Sequence, residues 1–183
     1  MPSKPPIVVV TGELGCGKTT VCGRVVALAR AQGMVVAGVL TLARFADGLK
    51  AGLDVEDLRT GRRRLLAERD CPSGGPQTGM WHFYADGLSW GEEALSRTAP
   101  CDLLIVDELG PLELIQGQGW TVGLDVLLAG GYRLALAVVR PALLPCFLAR
   151  LGDPTARGSA GPIVTVTEAN RDTLPAEIIA WLG

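Results

Sequence analysis

The sequence predicts an α/β fold, a mostly parallel β-sheet flanked by helices. Strand-like apolar runs alternate along the chain with helix-like segments. Several strand-like runs are apolar throughout, which is typical of parallel strands covered on both faces. With 183 residues, of which 48% are hydrophobic, the chain has the size of one domain with a substantial core. We therefore expect a single domain over residues 1–183.

The N-terminal part is predicted to be strand, loop, helix and strand. Residues 7–11 form a β-branched run that ends at a glycine-rich turn. Helical content follows over residues 19–32 and stops at Gly33. Residues 35–41 then read as a second strand.

Residues 47–84 differ in character and are interpreted as a β-rich insertion. Two short strands are expected around a turn at residues 59–61. The stretch CPSGGPQTG, residues 71–79, has the composition of an exposed loop.

The second half of the chain returns to alternating elements. A helix is predicted over residues 89–98, with Ser89 as N-cap and Glu92 completing a capping box. Further elements are expected as follows: a buried strand within residues 101–110, helix over most of 112–129 with an interruption at the loop GQG, a strand at 132–139, a helix at 141–151, a glycine-rich loop at 152–161, a strand at 163–166 and a helix at 174–182.

Composition excludes several classes of function. A net charge of −2 gives no basic surface for nucleic acid, and the run of arginines at residues 62–64 is better explained as a solvated hairpin. No apolar run is long enough to span a membrane, and the N-terminus lacks the pattern of a secretory signal. Five scattered cysteines and a single histidine support neither a disulfide framework nor a zinc site. We expect a cytoplasmic protein without membrane or nucleic-acid partners, and no protein partner is indicated.

A glycine-rich motif predicts a binding site for nucleotide phosphates. Gly12, Gly17, Lys18 and Thr19 fill the pattern GxxxxGK[ST] between a predicted strand and a predicted helix. The glycines let backbone N–H groups point at phosphate, and the helix N-terminus favours the anion. Lys18 would reach the β- and γ-phosphates, and the Thr19 hydroxyl would bind Mg²⁺. The predicted nucleotide contacts in this segment are Gly12, Glu13, Leu14, Gly15, Cys16, Gly17, Lys18, Thr19 and Thr20.

Two adjacent acids follow a buried strand and predict hydrolysis. Asp107 comes directly after four apolar residues, where its carboxylate can hold Mg²⁺ directly or through water. Glu108 is then free to orient and polarise the water that attacks the γ-phosphorus. Glu108 and Lys18 are therefore the predicted catalytic residues, and Thr19 and Asp107 the predicted metal ligands.

Four stretches of the chain resemble a known family. They are TGELGCGKTT at residues 11–20, AGVLTLARFADGLKAGLDVEDLRTG at 37–61, DLLIVDELGPLEL at 102–114 and VTEANRDTLPAEI at 166–178. In this order they resemble the small nucleoside-triphosphatases first described in thermophiles, whose human member is called the cancer-related nucleoside-triphosphatase. The resemblance implies a RecA-type P-loop domain that hydrolyses ATP, GTP and other triphosphates slowly, with Mg²⁺.

The chain also departs from the pattern of that family. Where the family shows a glutamate and an arginine after the second strand, this sequence has Ala43 and Phe45, with Arg44 between them. Lys50 stands where a basic residue is usual, and Arg140 lies in a region where a histidine is common. These departures bear on the rate and on any partner recognised by that face.

Arginines and a polar pair remain as candidates for other contacts. A cation can meet the charge on the γ-phosphate, and the candidates are Arg44, Arg140, Arg150 and Arg157. Asn170 and Arg171 follow the last predicted strand, where they could contact the base. Asn170 could equally be the N-cap of the C-terminal helix.

Two other functions share these motifs. One is a nucleotide-dependent adaptor, similar to the GTPase of molybdopterin-guanine dinucleotide synthesis, which would bind nucleotide with negligible hydrolysis. The other is a nucleotide or small-molecule kinase, which would need an acceptor pocket in residues 47–84. Because the sequence contains no base-specificity motif such as NKxD, we expect broad base tolerance.

Overall fold

A computed structural model of the chain describes residues 7–151 and 160–182. Its nine strands are β1 (Ile7–Thr11), β2 (Val36–Ala46), β3 (Leu49–Asp57), β4 (Arg63–Arg69), β5 (Gln77–Thr78), β6 (Trp81–Phe83), β7 (Leu103–Val106), β8 (Leu134–Val138) and β9 (Ala160–Thr165). They form one sheet in the order β5-β6-β4-β3-β2-β7-β8-β1-β9.

The sheet has a parallel part and an antiparallel part that share β2. Strand β2 pairs in parallel with β7, β7 with β8, β8 with β1, and β1 with β9. On its other edge β2 pairs antiparallel with β3, and the meander continues through β4, β6 and β5. Each strand of the central set β1, β7 and β8 is buried along its whole length, as expected for strands covered on both faces.

Helices cover both faces of the parallel part. They are α1 (Lys18–Ala31), α2 (Ala85–Ser96), α3 (Pro111–Leu114), α4 (Val122–Ala129), α5 (Leu144–Leu151) and α6 (Leu174–Ala180), and a 3₁₀ turn at Pro141–Leu143 precedes α5. One core cluster contains Val25 of α1 and Ile178 of α6. The cluster on the opposite face contains Leu95 of α2, Leu127 of α4 and Phe147 of α5.

The predicted β-rich region is continuous with the main sheet. The two strands expected around the turn at residues 59–61 are present as β3 and β4. The second strand is longer than predicted, however, because residues beyond Thr41 pair with β3 as far as Ala46. The antiparallel region therefore begins inside β2, before residue 47. That residues 1–183 form a single domain stays a prediction.

Several predicted boundaries are wrong. Helix α2 begins at Ala85 with Tyr84 as its N-cap, so Ser89 and Glu92 lie inside the helix and form no capping box. The interruption predicted at GQG within residues 112–129 is, by contrast, present: a non-helical connection that contains it separates α3 from α4. The helix predicted at 141–151 opens with a 3₁₀ turn. Strand β9 starts at Ala160, before the predicted position 163, and the greater part of the predicted loop at 152–161 lies outside the described residues.

No helix in the described part of the chain combines the length and the apolar character needed to cross a membrane.

Candidate functional site

The phosphate loop, residues 12–19, connects β1 to the first turn of α1. Its glycines adopt backbone conformations that other residues disfavour, with φ of 139° at Gly12, 80° at Gly15 and 104° at Gly17. A Cβ at Gly12 would lie 2.5 Å from the carbonyl oxygen of Val166, so the start of the loop also requires glycine for space. The motif is thus built by one strand, one turn and one helix.

The ammonium group of Lys18 is held inside this loop. The residue is buried, and its Nζ donates hydrogen bonds to the carbonyl oxygens of Gly12 at 2.7 Å and Glu13 at 2.8 Å. Leu14 at the tip of the loop is 78% exposed, and Thr20 on α1 is exposed as well. The Sγ of Cys16 lies 3.9 Å from the same Nζ.

Asp107 lies at the carboxyl end of β7, facing the phosphate loop. It is buried, and Thr41 of β2 fixes it from the neighbouring strand: the backbone N–H of Thr41 donates to Oδ2 at 3.3 Å, and the Thr41 hydroxyl donates to the Asp107 carbonyl oxygen. Burial raises the pKa of the Asp107 carboxyl to about 7, and the charge of Glu108 adds to the increase. Hydrogen bonds from Thr19 and Thr41 and the charge of Lys18 lower this pKa, because their donor groups lie near the carboxylate.

The surroundings of Asp107 suit a hard cation. Its Oδ1 is buried and has no hydrogen-bond partner in the described structure, and such an atom is costly unless a ligand satisfies it. The hydroxyl oxygen of Thr19 lies near this carboxylate, so the donor set is all oxygen, as Mg²⁺ prefers. Within residues 7–151 and 160–182 there is no group of three or more His, Cys, Asp or Glu side chains placed to hold a metal. A Mg²⁺ ion here would complete its shell with phosphate oxygens and water.

Glu108 forms an ion pair with Arg140. Its Oε1 accepts a hydrogen bond from Arg140 Nε at 2.6 Å, and both side chains are partly exposed, by 25% and 40% respectively. Arg140 follows β8, which is the parallel neighbour of β7. The two residues therefore meet because their strands end at the same edge of the sheet.

The other candidate arginines are placed differently. Arg44 lies 3.8 Å from Asp54, on the face of β2 opposite to Thr41, since successive side chains of a strand alternate. Arg150 donates to the backbone carbonyl of Glu113 at 3.1 Å. Arg157 lies outside the described residues. Among the arginines that the structure describes, Arg140 is the one that contacts a predicted catalytic residue.

Arg171 lies against the phosphate loop, whereas Asn170 has a local structural role. The Cδ of Arg171 lies 3.5 Å from the position that a Cβ on Gly17 would take. Asn170 Oδ1 accepts from Thr167 N at 2.8 Å, and its amide donates to Thr165 O at 2.9 Å. The N-cap position of α6 is Thr173, so the alternative that Asn170 caps this helix is wrong.

Glu113 shapes the connection beside the acid pair. Its carboxylate is buried and accepts from Gly110 N at 2.9 Å and from Trp120 N at 3.0 Å. Burial raises the pKa of Glu113, and these two N–H donors oppose that rise. The Glu113 side chain therefore connects the two ends of the segment formed by residues 110–120. Sequence reasoning had assigned no role to Glu113 or Thr41; for Glu113 the only signal was its place in DELGPLEL.

A cavity of about 770 Å³ opens beside the acid pair. At one end it is bounded by Leu14, Gly15, Thr19, Asp107 and Glu108. At the other end it is lined by side chains of the antiparallel part of the sheet and by residues of the 110–120 connection. These lining residues include Lys50, Leu53, Leu66, Arg69, Trp81, Phe83, Glu113 and Trp120.

The chain is similar to known proteins over nearly its whole length. A family model described as NTPase matches residues 7–179. The nucleoside-triphosphatase THEP1 of Methanosarcina acetivorans is 30% identical over 173 residues, which are 93% of this chain and 93% of that protein.

Two solved structures share the fold. The solution structure of a human cancer-related nucleoside triphosphatase has a TM-score of 0.72 at 24% identity and covers 96% of each chain. The crystal structure of THEP1 from Aquifex aeolicus has a TM-score of 0.68 at 17% identity, covering 96% of this chain and 98% of that one. The predicted α/β fold class and the predicted family are thereby confirmed. The chain belongs to the NTPase family of nucleoside-triphosphatase enzymes.

Proposed function

We propose that this protein is a Mg²⁺-dependent nucleoside-triphosphatase that hydrolyses ATP, GTP and other nucleoside triphosphates to the diphosphate and phosphate. The observation that supports this proposal best is the unpartnered, buried Oδ1 of Asp107 near Thr19, with Glu108 as the next residue. A carboxylate suited to Mg²⁺ and an acid that can act on water are thus consecutive residues beside the phosphate loop, which supports the proposal.

The phosphate loop and Lys18 would bind the triphosphate. The backbone N–H groups of the loop and the N-terminus of α1 favour the anion. Lys18 Nζ would exchange its two carbonyl acceptors, Gly12 O and Glu13 O, for oxygens of the β- and γ-phosphates. When bound by Thr19 and Asp107, Mg²⁺ would neutralise charge on the phosphate oxygens.

Glu108 and Arg140 would have separate roles at the γ-phosphate. Glu108 would accept a hydrogen bond from the attacking water and orient it. Arg140, which donates a hydrogen bond to Glu108 Oε1 in the structure, would turn to the γ-phosphate oxygens when nucleotide binds. That exchange would release the carboxylate for the water and place a cation where negative charge develops.

We infer broad base specificity and slow turnover from the same residues. Arg171 beside Gly17, and Asn170 next to it, are the predicted base contacts, and neither is part of a base-specific motif. Ala43 and Phe45 replace the charged residues expected after the second strand, and Glu108 must first leave Arg140. Both features argue for slow hydrolysis.

The test is phosphate release from ATP, GTP, CTP and UTP by the purified protein, with no acceptor present. We expect release with all four in Mg²⁺, and loss of release in EDTA with recovery when excess Mg²⁺ is restored. Undiminished release in EDTA would contradict the metal dependence, and release from a single triphosphate would contradict the broad specificity.

A second candidate is a nucleotide-dependent adaptor, favoured by one observation. Phe45 and Leu49, at the tip of the β2–β3 hairpin, are 68% and 69% exposed, an apolar pair near the site that a protein partner could cover. This function predicts tight binding of nucleotide with no phosphate release above that of Glu108→Gln. The same assay, combined with a binding measurement, therefore separates the two candidates.

A cytoplasmic location is our inference from the cysteines. All five are free thiols in the structure, which is usual in a reducing compartment.

A further inference from the structure

The cavity beside the acid pair is larger than hydrolysis requires. Its volume is about 770 Å³, within the range of roughly 300 to 1,000 Å³ that is typical of pockets for small molecules. A γ-phosphate and an attacking water would occupy only its inner end, where Thr19, Asp107 and Glu108 lie. The rest of the space is unaccounted for by the proposed reaction.

The nucleotide itself would extend in the other direction. The proposed metal ligands Thr19 and Asp107 would lie at the end of the triphosphate that carries the γ-phosphate. Arg171, the predicted base contact, lies at Gly17, and neither it nor Asn170 belongs to the described lining of the cavity. The base and ribose would therefore point away from the cavity, leaving it open while nucleotide is bound.

The walls of the outer part suit a flat apolar ring. Trp81 and Phe83 of β6 line it, together with Leu53 of β3 and Leu66 of β4. Both aromatic side chains are only partly buried, so their remaining surface is available for stacking.

Three cationic side chains line the cavity, and two of them, Arg69 and Arg140, form ion pairs with Asp70 and Glu108. Lys50 Nζ lies 5.3 Å from the ring centroid of Trp81, and the residue lines the cavity. Glu56, Asp54 and the other acids that form ion pairs all have arginine partners, and none of the ion pairs in the described structure includes Lys50. Desolvation lowers the pKa of Lys50; the charges of Glu108 and Asp107 raise it, and those of Arg140 and Lys18 add to the lowering. Lys50 is thus a cation that a negatively charged ligand in the cavity would meet.

We propose that this cavity binds a second small molecule, a planar aromatic anion, beside the γ-phosphate and at the same time as the nucleoside triphosphate. Its ring lies on Trp81 and Phe83, and its anionic group contacts Lys50. The position relative to the γ-phosphate rests on the proposed function, whereas the binding itself does not. Such a ligand occupies the place that an acceptor would need, and it restricts the access of water to Glu108.

The probe is 8-anilinonaphthalene-1-sulfonate, a fluorescent anion with a planar naphthalene ring. We expect it to bind with a stoichiometry of one per chain, equally well with and without saturating Mg²⁺ and a non-hydrolysable ATP analogue. Lys50→Met keeps the aliphatic stem and removes the charge, and should weaken probe binding roughly tenfold, the loss expected for one charge-assisted contact. Trp81→Leu should weaken it as well. Arg64→Met, which removes one exposed cation from β4 outside the cavity lining, is the matched control and should leave probe affinity unchanged.

Each variant is first checked for cooperative thermal unfolding, because loosely packed states also bind this dye. Displacement of the probe by the ATP analogue would overturn the proposal, since the cavity would then belong to the nucleotide. Equal loss of affinity in Lys50→Met and Arg64→Met would also overturn it. Probe binding without phosphate release would support the cavity ligand and contradict the proposed hydrolysis. Phosphate release without probe binding would support the hydrolysis and contradict the cavity ligand.

A kinetic measurement checks the location. Saturating probe should lower kcat for phosphate release and leave the KM for ATP unchanged. A rise in KM at constant kcat would place the probe on the nucleotide site and contradict the inference.

Discussion

Arg140 Nε donates a hydrogen bond of 2.6 Å to Glu108 Oε1, joining the end of β8 to the residue after Asp107, the proposed metal ligand. This contact connects the predicted catalytic acid to one of the four candidate arginines. In the proposed mechanism Arg140 would leave this carboxylate and move to the γ-phosphate during turnover.

The first prediction concerns Glu108. Glu108→Gln preserves volume and removes the negative charge that can polarise water, so kcat should fall by roughly 10² to 10⁴. The Kd for Mg²⁺-ATP should change little, because the phosphate contacts remain. Phosphate release and calorimetric titration measure the two quantities, and equal turnover by the variant and the wild type would remove Glu108 from the mechanism.

Arg140 is expected to contribute to turnover, and Arg44 is not. Arg140→Met should lower kcat, by up to about 10³ if the residue meets transition-state charge. Arg44→Met, on the opposite face of β2, is the control and should retain turnover. If the two variants lose activity equally, the assignment of Arg140 fails and a general charge effect is indicated.

Lys18→Ala should abolish productive nucleotide binding. The variant removes the cation that is already buried inside the phosphate loop, and loss of a desolvated charge contact costs about 2 to 5 kcal/mol. The Kd for ATP, measured by fluorescence anisotropy of a labelled nucleotide, should rise by at least about thirtyfold on that basis. Arg24→Ala removes an exposed cation from the same helix, paired with Asp172, and should bind ATP normally.

A Cβ at Gly12 should distort the phosphate loop. In Gly12→Ala the added carbon would lie 2.5 Å from Val166 O at a φ of 139°, which costs on the order of 1 to 3 kcal/mol in strain. We expect a lower thermal midpoint and weaker ATP binding together. Gly33→Ala, at a positive φ with no atoms within 4 Å of the added carbon, controls for strain alone and should keep nucleotide affinity.

Glu113 is predicted to stabilise the protein without taking part in the reaction. In Glu113→Gln the amide can accept only one of the two N–H groups that the carboxylate satisfies, Gly110 N and Trp120 N. A buried donor left without a partner costs about 1 to 3 kcal/mol, which urea denaturation would detect. Glu93→Gln, exposed on α2, should have no comparable effect; a stability of Glu113→Gln equal to that of the wild type would contradict the role assigned to the carboxylate.

Local sequence patterns predicted the strands and helices that are encoded by one continuous segment of the chain. Strand β1, helix α1, and the buried strands β7 and β8 have uninterrupted apolar or helical patterns, and the structure contains each of them near the expected position. The start of α2 was misplaced for a tertiary reason. Gly87 and Gly91 are unfavourable in an isolated helix, but a Cβ would lie 2.2 Å from Leu65 O at Gly87 and 2.5 Å from the Trp120 ring at Gly91. These glycines are in the helix because it packs so closely on its neighbours.

The sequence by itself determined the phosphate loop, the acid pair and the family, because each is encoded by consecutive residues or by motifs in a fixed order. The tertiary structure decided which distant side chains join them. Thr41 reaches Asp107 since β2 pairs with β7, and Arg140 reaches Glu108 since β7 pairs with β8. The cavity likewise exists only because the antiparallel strands continue the sheet past the phosphate loop. Contacts between residues 32 or 66 positions apart depend on strand order, which no local pattern specifies.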